Sequence, residues 1–210
     1  MTILFRALLL LVLFQIHNVA PAQSASASQA PAPRKSALLV IDPQVDVLAS
    51  VWDSKRITAN IETLVSKARA AGVPVIWVQH SDKDLKYGSD GWKLAPSFVP
   101  APTEAVVHKK YNSSFAETDL DRRLKALGVS RIVMAGAASN WCVRATAYAA
   151  VDRGYDLALV SDAHSTESLD FGNGKVIPAE MIVTELNAAF KWLSVPNVRT
   201  EVKKTSEITF

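Results

Sequence analysis

The stretch Ala37–Asp46 reads ALLVIDPQVD and decides the fold of this chain. Its first five residues are apolar without polar alternation, which is typical of a strand buried on both faces of a sheet. Asp42 follows this run directly. An acid in such a place must be hydrogen-bonded, paired or functional, because an unpaired buried charge is costly. A turn role before Pro43 is the structural alternative for Asp42.

Outward from this stretch, the chain alternates short apolar runs with amphipathic stretches. Five more runs predict strands: Val75–Val78, a short one from Val106, Ile132–Ala135, Leu157–Val160 and Val198–Val202. Four stretches have apolar residues at helical spacing: Ile57–Ala68, Thr118–Leu127, Asn140–Arg153 and Pro178–Leu193. This order predicts an α/β fold, a Rossmann-like three-layer sandwich with a six-stranded, mainly parallel sheet.

The composition fits one globular domain without disulfides. The 210 residues are 49% hydrophobic and 20% charged, and Cys142 is the only cysteine. The net charge is +3, and basic residues occur as scattered pairs such as Lys109–Lys110 and Lys203–Lys204. A nucleic-acid partner is therefore not expected. The sequence lacks phosphate-binding glycine loops and metal-ligand spacings, so we expect neither a cofactor nor a metal.

The N-terminus predicts export. Arg6 precedes the apolar run Ala7–Phe14, and Ala20–Ala22 offers small residues at the two positions that a signal peptidase reads. The predicted parts are a signal peptide at residues 1–22, a flexible linker at 23–35 and a folded domain at 36–210. The apolar run is shorter than the ~20 residues of a membrane span. We expect a periplasmic or secreted protein without membrane contact after cleavage; an uncleaved anchor is the alternative.

Polar residues stand where the predicted strands end. Ligands of a parallel sheet bind at the carboxyl ends of its strands. Those ends carry Asp42, His80, Lys109 and Asp162. Lys109 and Lys110 are neighbours on a strand, so only one of them can face the site. Either His80 or His164 could form a dyad with a nucleophile, or either could be a polar rim residue.

Cys142 lies in the turn Gly136–Cys142, where a predicted strand runs into a predicted helix. The first N–H groups of a helix are unpaired and carry partial positive charge, so a thiol there is expected to have a lowered pKa. The same N–H groups can hold a developing oxyanion. A buried structural cysteine is the alternative.

Four segments resemble the isochorismatase-like cysteine hydrolases, a family that includes nicotinamidases and N-carbamoylsarcosine amidohydrolases. They are Ala37–Asp46 with its D-x-Q-x-D, Val106–Thr118 (VVHKKYNSSFAET), Gly136–Ala147 (GAASNWCVRATA) and Gly154–Ala163 (GYDLALVSDA). The resemblance covers nearly all of residues 36–202. It implies a six-stranded parallel sheet and assembly into a homo-oligomer.

The resemblance also implies roles for individual residues. Asp42 matches the general base, Lys109 the lysine of the catalytic triad and Cys142 the nucleophile. The Ala137–Ala138 bond matches a cis peptide, and the N–H groups of Ala138 and Cys142 match an oxyanion hole. The implied activity is hydrolysis of a C–N bond in a small-molecule amide, ureide or carbamoyl substrate through a thioester on Cys142.

Some positions depart from the family pattern. Cys142 argues against isochorismatases proper, which lack this nucleophile, and only His80 remains of the metal ligands near the second strand in metal-using nicotinamidases. His80, Trp92 and Trp141 are predicted to bind the substrate, with core packing as the alternative for both tryptophans. Two other functions stay open, a thiol redox enzyme and a non-catalytic small-molecule binding protein.

Overall fold

The computed structural model describes residues 34–210. The predicted signal peptide and residues 23–33 of the predicted linker lie outside the described residues. The strands are β1 Ser36–Ile41, β2 Val75–His80, β3 Ala105–Lys109, β4 Arg131–Ala137, β5 Asp156–Ser165, β6 Leu169–Asp170, β7 Val176–Ile177 and β8 Thr200–Lys203. The helices are α1 Val45–Ser50, α2 Ser54–Ala70, α3 Leu120–Ala126, α4 Arg144–Asp152 and α5 Ala179–Trp192.

Six of the strands form one sheet in the order β3-β2-β1-β4-β5-β8. Every neighbouring pair in it is parallel, so the predicted α/β sandwich with a six-stranded sheet is confirmed. The run ALLVI lies in β1, near the middle of the sheet, with β2 on one side and β4 on the other. The remaining strands, β6 and β7, pair antiparallel in a small hairpin that the sequence analysis did not predict.

Helices cover both faces of the sheet, and β1 supplies side chains to both. Leu38 and Val40 pack with the apolar side of α2, whereas Leu39 and Ile41 pack with α3, α4 and α5 on the opposite face. All four side chains are fully buried. This two-sided burial explains why the run shows no polar alternation. Each such buried side chain contributes roughly 1.5–3 kcal/mol to the free energy of unfolding.

Strand β5 is longer than the sequence predicted. The apolar run stops at Val160, but the strand continues to Ser165. Its pairing with β4 shifts between Met134, which faces Leu159, and Gly136, which faces His164. The extra residues on β5 form an irregularity of the β-bulge kind, which breaks the simple apolar pattern.

Helix α3 begins two residues later than predicted. Instead of opening the helix, the Thr118 hydroxyl donates to the Ser114 carbonyl at 2.5 Å and accepts from the Leu120 N–H at 3.3 Å. Asp119 is the N-cap residue, without a side-chain cap hydrogen bond. Within residues 34–210, none of the helices combines the length and the apolarity that a membrane crossing requires.

Candidate active site

The carboxyl end of the sheet brings together three buried polar side chains, which we call the thiol cluster: Asp42, Lys109 and Cys142. Lys109 Nζ lies 2.7 Å from Asp42 Oδ2 and 3.1 Å from Cys142 Sγ. Asp42 is 1% exposed, Lys109 2% and Cys142 8%. The neighbouring Lys110 is exposed, so the two lysines face opposite ways, with Lys109 in the site.

Asp42 is held where β1 ends. Its backbone has a φ of 47°, a left-handed conformation that turns the chain out of the strand. Its N–H still donates to the Val78 carbonyl of β2 at 3.0 Å. One carboxylate oxygen, Oδ2, binds Lys109. The other, Oδ1, is buried and has no hydrogen-bond partner among the described residues, so it is an acceptor available to a proton or a ligand.

The turn that carries Cys142 packs tightly against β1. Gly136 has a φ of 125°, and a Cβ there would lie 2.0 Å from the Ile41 carbonyl oxygen, so only glycine fits. The Ala137–Ala138 peptide bond is cis, as the resemblance implied. The predicted helix then opens as a π-helical turn, Ser139–Val143, before α4 begins at Arg144. Such turns are frequent at functional sites.

The pKa of the Cys142 thiol is raised, which corrects the lowering that its place at a helix start predicted. Burial and the Asp42 carboxylate raise the pKa of Cys142 to about 12, although Lys109 acts in the opposite direction. Burial opposes the charge on Lys109, but Asp42 and Cys142 outweigh it and hold its pKa above the ordinary value. Cys142 therefore rests as a thiol beside the Lys109 ammonium, because burial and the neighbouring Asp42 outweigh the effect of the helix start.

His80 extends the thiol cluster towards solvent. Its Nδ1 lies 3.3 Å from Lys109 Nζ, and its Nε2 lies 3.1 Å from Asp82 Oδ2. The backbone N–H of Leu85 also binds Asp82 and lowers the pKa of that carboxyl. His80 therefore contacts the lysine rather than the thiol, and the structure does not form the Cys–His dyad that the sequence left open.

His164 belongs to a second polar group, which we call the histidine cluster: the buried Ser139 and His164 and the half-buried Asn187. Asn187 Nδ2 donates to the Ser161 carbonyl at 3.2 Å, which turns its Oδ1 towards His164 Nε2 at 3.0 Å. The Nε2 atom therefore carries the proton, and Nδ1 accepts from the Ser139 hydroxyl at 2.8 Å. Burial lowers the pKa of His164 to about 4, so the ring is neutral and holds the π-helical turn to β5 and α5.

A cavity of about 380 Å³ opens over the thiol cluster. Three predicted residues besides Asp42 and Cys142 line it, namely Ala138, His80 and Trp141. Trp141 is 50% exposed, so its ring covers the rim and is not packed in the core. The apolar part of the wall also includes Val47, Val51 and Leu85.

Trp92 does not line this cavity, in contrast to its predicted role in substrate binding. Its ring packs against Tyr87, with centroids 4.4 Å apart, and against His108 at 5.4 Å. Its carbonyl accepts the side-chain amides of Gln44 at 2.7 Å and Gln79 at 3.0 Å. Trp92 therefore holds the loop after β2 against the sheet, and loop geometry of this kind is not visible in the sequence.

Four acidic residues of the cavity were not predicted from the sequence: Asp46, Asp82, Asp84 and Glu167. Asp162 was predicted to lie at the site because β5 was expected to end there. Instead, the Asp162 carboxylate binds the backbone N–H and the hydroxyl of Thr205 at 2.8 Å and 2.7 Å. Glu167 follows the true end of β5, so a correct strand length would have identified it.

Within residues 34–210, His, Cys, Asp and Glu side chains do not form a group of three or more that could hold a metal ion. The chemistry on offer is that of a thiol beside a carboxylate with a free acceptor oxygen and a fixed ammonium. Such a set can move one proton and stabilise a thiolate.

The molecule is an α/β protein with a buried thiol beside an aspartate and a lysine at the carboxyl end of a parallel sheet. Residues 36–174 match the model of the isochorismatase domain. The streptothricin hydrolase of Streptomyces noursei is 34% identical over 174 residues, which are 79% of this chain and 68% of that protein. The secreted isochorismatase effector Isc1 of Verticillium dahliae is 35% identical over 61% of this chain and 71% of its own.

A solved structure agrees with these sequence matches. The crystal structure of an isochorismatase from Pseudomonas putida superposes with a TM-score of 0.75 at 28% identity, covering 86% of this chain and 94% of that one. The chain belongs to the isochorismatase family. It is accordingly a hydrolase built on the family's α/β fold.

Proposed function

We propose that this protein hydrolyses a C–N bond in a small amide, ureide or carbamoyl compound through a thioester on Cys142. The observation that carries the proposal is the contact within the thiol cluster, where Lys109 Nζ lies 2.7 Å from Asp42 and 3.1 Å from the sulfur. The name of the relative from Streptomyces noursei, a streptothricin hydrolase, supports hydrolysis as the reaction class.

Acylation begins with a proton transfer from the Cys142 thiol to Asp42. The Oδ1 atom of Asp42 has a vacant acceptor position for this proton. Once the carboxylate is neutral it no longer opposes the thiolate, while Lys109 keeps its positive charge beside the sulfur. The resting thiol is thereby unreactive, and the nucleophile forms when a substrate occupies the cavity and the proton moves.

The thiolate then attacks the carbonyl carbon, and the C=O electron pair moves to oxygen. In this proposal the N–H groups of Ala138 and Cys142 bind that oxyanion, as the family resemblance implies. Ala138 and Cys142 both line the cavity. A substrate carbonyl placed next to the sulfur would therefore lie close to the backbone of both residues.

The C–N bond breaks as Asp42 returns its proton to the leaving nitrogen, which departs as ammonia or an amine. The thioester is left on Cys142, and Asp42 is again a carboxylate. Asp42 then takes a proton from water, the hydroxide adds to the thioester carbon, and the acid product leaves as the thiol is reprotonated. Burial and the raised pKa of Cys142 disfavour the alternative thiol redox role, which needs an accessible thiolate.

A trapping experiment tests the proposal without a known physiological substrate. A panel of primary amides, ureas and carbamates is screened for ammonia release, and the active compound is mixed with enzyme and quenched in acid. We expect an acyl adduct on the tryptic peptide 132–144, which contains the only cysteine of the chain, and its removal by hydroxylamine. Undiminished ammonia release by Cys142→Ala would contradict the proposal.

We also propose that the protein works as a homo-oligomer outside the cytoplasm, either periplasmic or secreted. The signal-like N-terminus supports export, and one relative is named a secreted effector. The family resemblance supports oligomerisation. Intact-mass measurement of the protein from an exporting host is expected to show cleavage after Ala22, and light scattering is expected to give a mass above one chain.

A further inference from the structure

The cavity over the thiol cluster is strongly acidic, although the protein as a whole carries a net charge of +3. Its wall holds Asp46, Asp82, Asp84 and Glu167 in addition to Asp42. Lysine and arginine side chains are missing from the wall formed by the described residues. Lys109 and Asp42 offset each other beneath the cavity, so the four outer carboxylates determine its electrostatic potential.

Two of these carboxylates are fixed in place by the backbone around them. Asp82 Oδ1 accepts the N–H groups of Asp84 at 2.9 Å and Leu85 at 2.7 Å. Asp46 lies directly against Gly91, where an added Cβ would come within 1.7 Å of Asp46 Oδ2. The Asp46 N–H also donates to the Gly91 carbonyl at 3.1 Å. Glycine at position 91 therefore makes room for a carboxylate at the cavity wall.

Apart from the contact of His80 with Asp82 at 3.1 Å, little positive charge within residues 34–210 neutralises this wall. Lys83 pairs with Asp84 at 2.9 Å, but both side chains are largely in solvent, where such a pair is weak. Asp46 and Glu167 form no ion pair within residues 34–210. The buried Asp42 Oδ1 at the base is a further acceptor without a partner in the described chain.

The apolar part of the wall indicates what kind of spacer a substrate has between its charged group and the bond that is cleaved. Val47, Val51, Leu85 and the exposed ring of Trp141 give the cavity apolar surfaces between its carboxylates. These surfaces fit a short hydrocarbon spacer, while the carboxylates fit a cationic group. An anionic substrate would meet several like charges at once.

We propose that the site selects cationic amides, in which an ammonium or guanidinium group on an apolar spacer binds the carboxylates while the amide reaches Cys142. This inference rests on the proposed function for its reaction, but the recognition itself needs only binding. The discriminating carboxylates are Asp46, Asp82, Asp84 and Glu167. Cation recognition by them is distinct from the roles of Asp42 and Lys109 in proton transfer.

Three amides of similar length test the inference: 5-aminopentanamide, hexanamide and glutaramate carry a cation, a methyl group and an anion at the same end. Calorimetric titration into the Cys142→Ala variant measures binding without turnover. We expect the cationic amide to bind about tenfold more tightly than the neutral one, and the anionic amide most weakly. This preference should shrink as salt is raised from about 0.05 M to about 0.5 M.

Charge-neutral variants locate the effect. Adding Asp84→Asn and Glu167→Gln to Cys142→Ala should clearly lower the ratio of cationic to neutral binding, because two of the four outer carboxylates are then neutral. Glu62→Gln is the matched control, since Glu62 is exposed on α2 and does not line the cavity. That control removes one negative charge outside the cavity and should keep the ratio.

The outcomes separate recognition from catalysis. Equal or tighter binding of the neutral or anionic amide, or no saturable binding of the cationic one, would overturn the inference. Turnover of the three amides by the wild-type enzyme is measured in parallel. Cation-selective binding without hydrolysis of any amide in the screen would remove the proposed function but keep the recognition site, whereas hydrolysis without charge preference would do the reverse.

Discussion

The two polar clusters beside the Cys142 turn differ in how completely their hydrogen-bonding groups are paired. In the histidine cluster, Ser139, His164 and Asn187 pair donor with acceptor in sequence, and the ring is neutral and wholly buried. In the thiol cluster, Asp42 keeps an unpaired oxygen and faces a cavity. Complete pairing fixes a turn in position, whereas incomplete pairing beside a cavity leaves a group that can accept a proton.

The largest expected effect is a loss of hydrolysis when the thiol cluster, rather than the histidine cluster, is altered. Cys142→Ala should lower hydrolysis by about 10⁴-fold or more, because the nucleophile is removed. Its stability should change little, since the side chain is small and the histidine cluster still holds the turn. Ammonia release and urea unfolding measure the two quantities. A variant that retained a tenth of the activity would show that the thiol cluster is not the reactive one.

The next effect concerns Asp42, for which the raised pKa of Cys142 gives an unusual expectation. Asp42→Asn should reduce hydrolysis by about 10²–10⁴-fold because the general base is lost. It should also accelerate alkylation of Cys142 by iodoacetamide near neutral pH, because the carboxylate that raises the thiol pKa is gone. Rates of alkylation between about pH 6 and pH 10 measure this change.

The Lys109→Met variant serves as the opposite control for that experiment. Lys109 lowers the pKa of Cys142, so its removal should slow alkylation below the wild-type rate. In the wild type the rate should keep rising through pH 10, since the thiol pKa of about 12 lies above the ~8.5 of a free thiol. Slower alkylation in Asp42→Asn would contradict the assigned charges.

A smaller effect, on the free energy of unfolding, is expected when a hydrogen bond of the histidine cluster is removed. Ser139→Ala leaves Nδ1 of the buried His164 without a donor, which should cost about 1–3 kcal/mol of unfolding free energy. Hydrolysis should fall by less than tenfold, because no reacting atom is removed. Ser66→Ala on the exposed side of α2 is the matched control and should stay within about 0.5 kcal/mol. An activity loss as large as that of Cys142→Ala would place Ser139 in the chemistry.

The smallest expected effect is on how the free energy of unfolding depends on pH. The folded-state pKa of His164 is about 4, below its ordinary value near 6.5, so folding favours the neutral ring. Its contribution is complete above about pH 6.5 and is lost as the pH falls towards 4. Between about pH 7 and pH 5.5 this loss is roughly 1 kcal/mol. Urea unfolding of His164→Gln should show a flatter slope in that window, and the exposed His108→Gln should keep the wild-type slope.

The sequence predicted the parts of the structure that depend on strand positions. A run without alternation placed β1 in the sheet, and strand ends then brought Asp42 and Lys109 to one edge. The state of the thiol was not predictable, because it depends on burial in the folded chain and on a carboxylate about a hundred residues away in sequence. The partners of His164 and the packing of Trp92 were hidden for the same reason, since tertiary contacts rather than local patterns determine them.

The residues around the cavity lie on two kinds of element, which has a consequence for evolution and engineering. Asp42 and Lys109 stand at strand ends, and Cys142 stands in a turn packed against β1, whereas Asp82, Asp84 and Glu167 sit on the loops after β2 and β5. Loops accept insertions and substitutions more readily than the strands that carry them. Libraries randomised only in those two loops should therefore yield changed substrate ranges while the reaction centre is inherited intact.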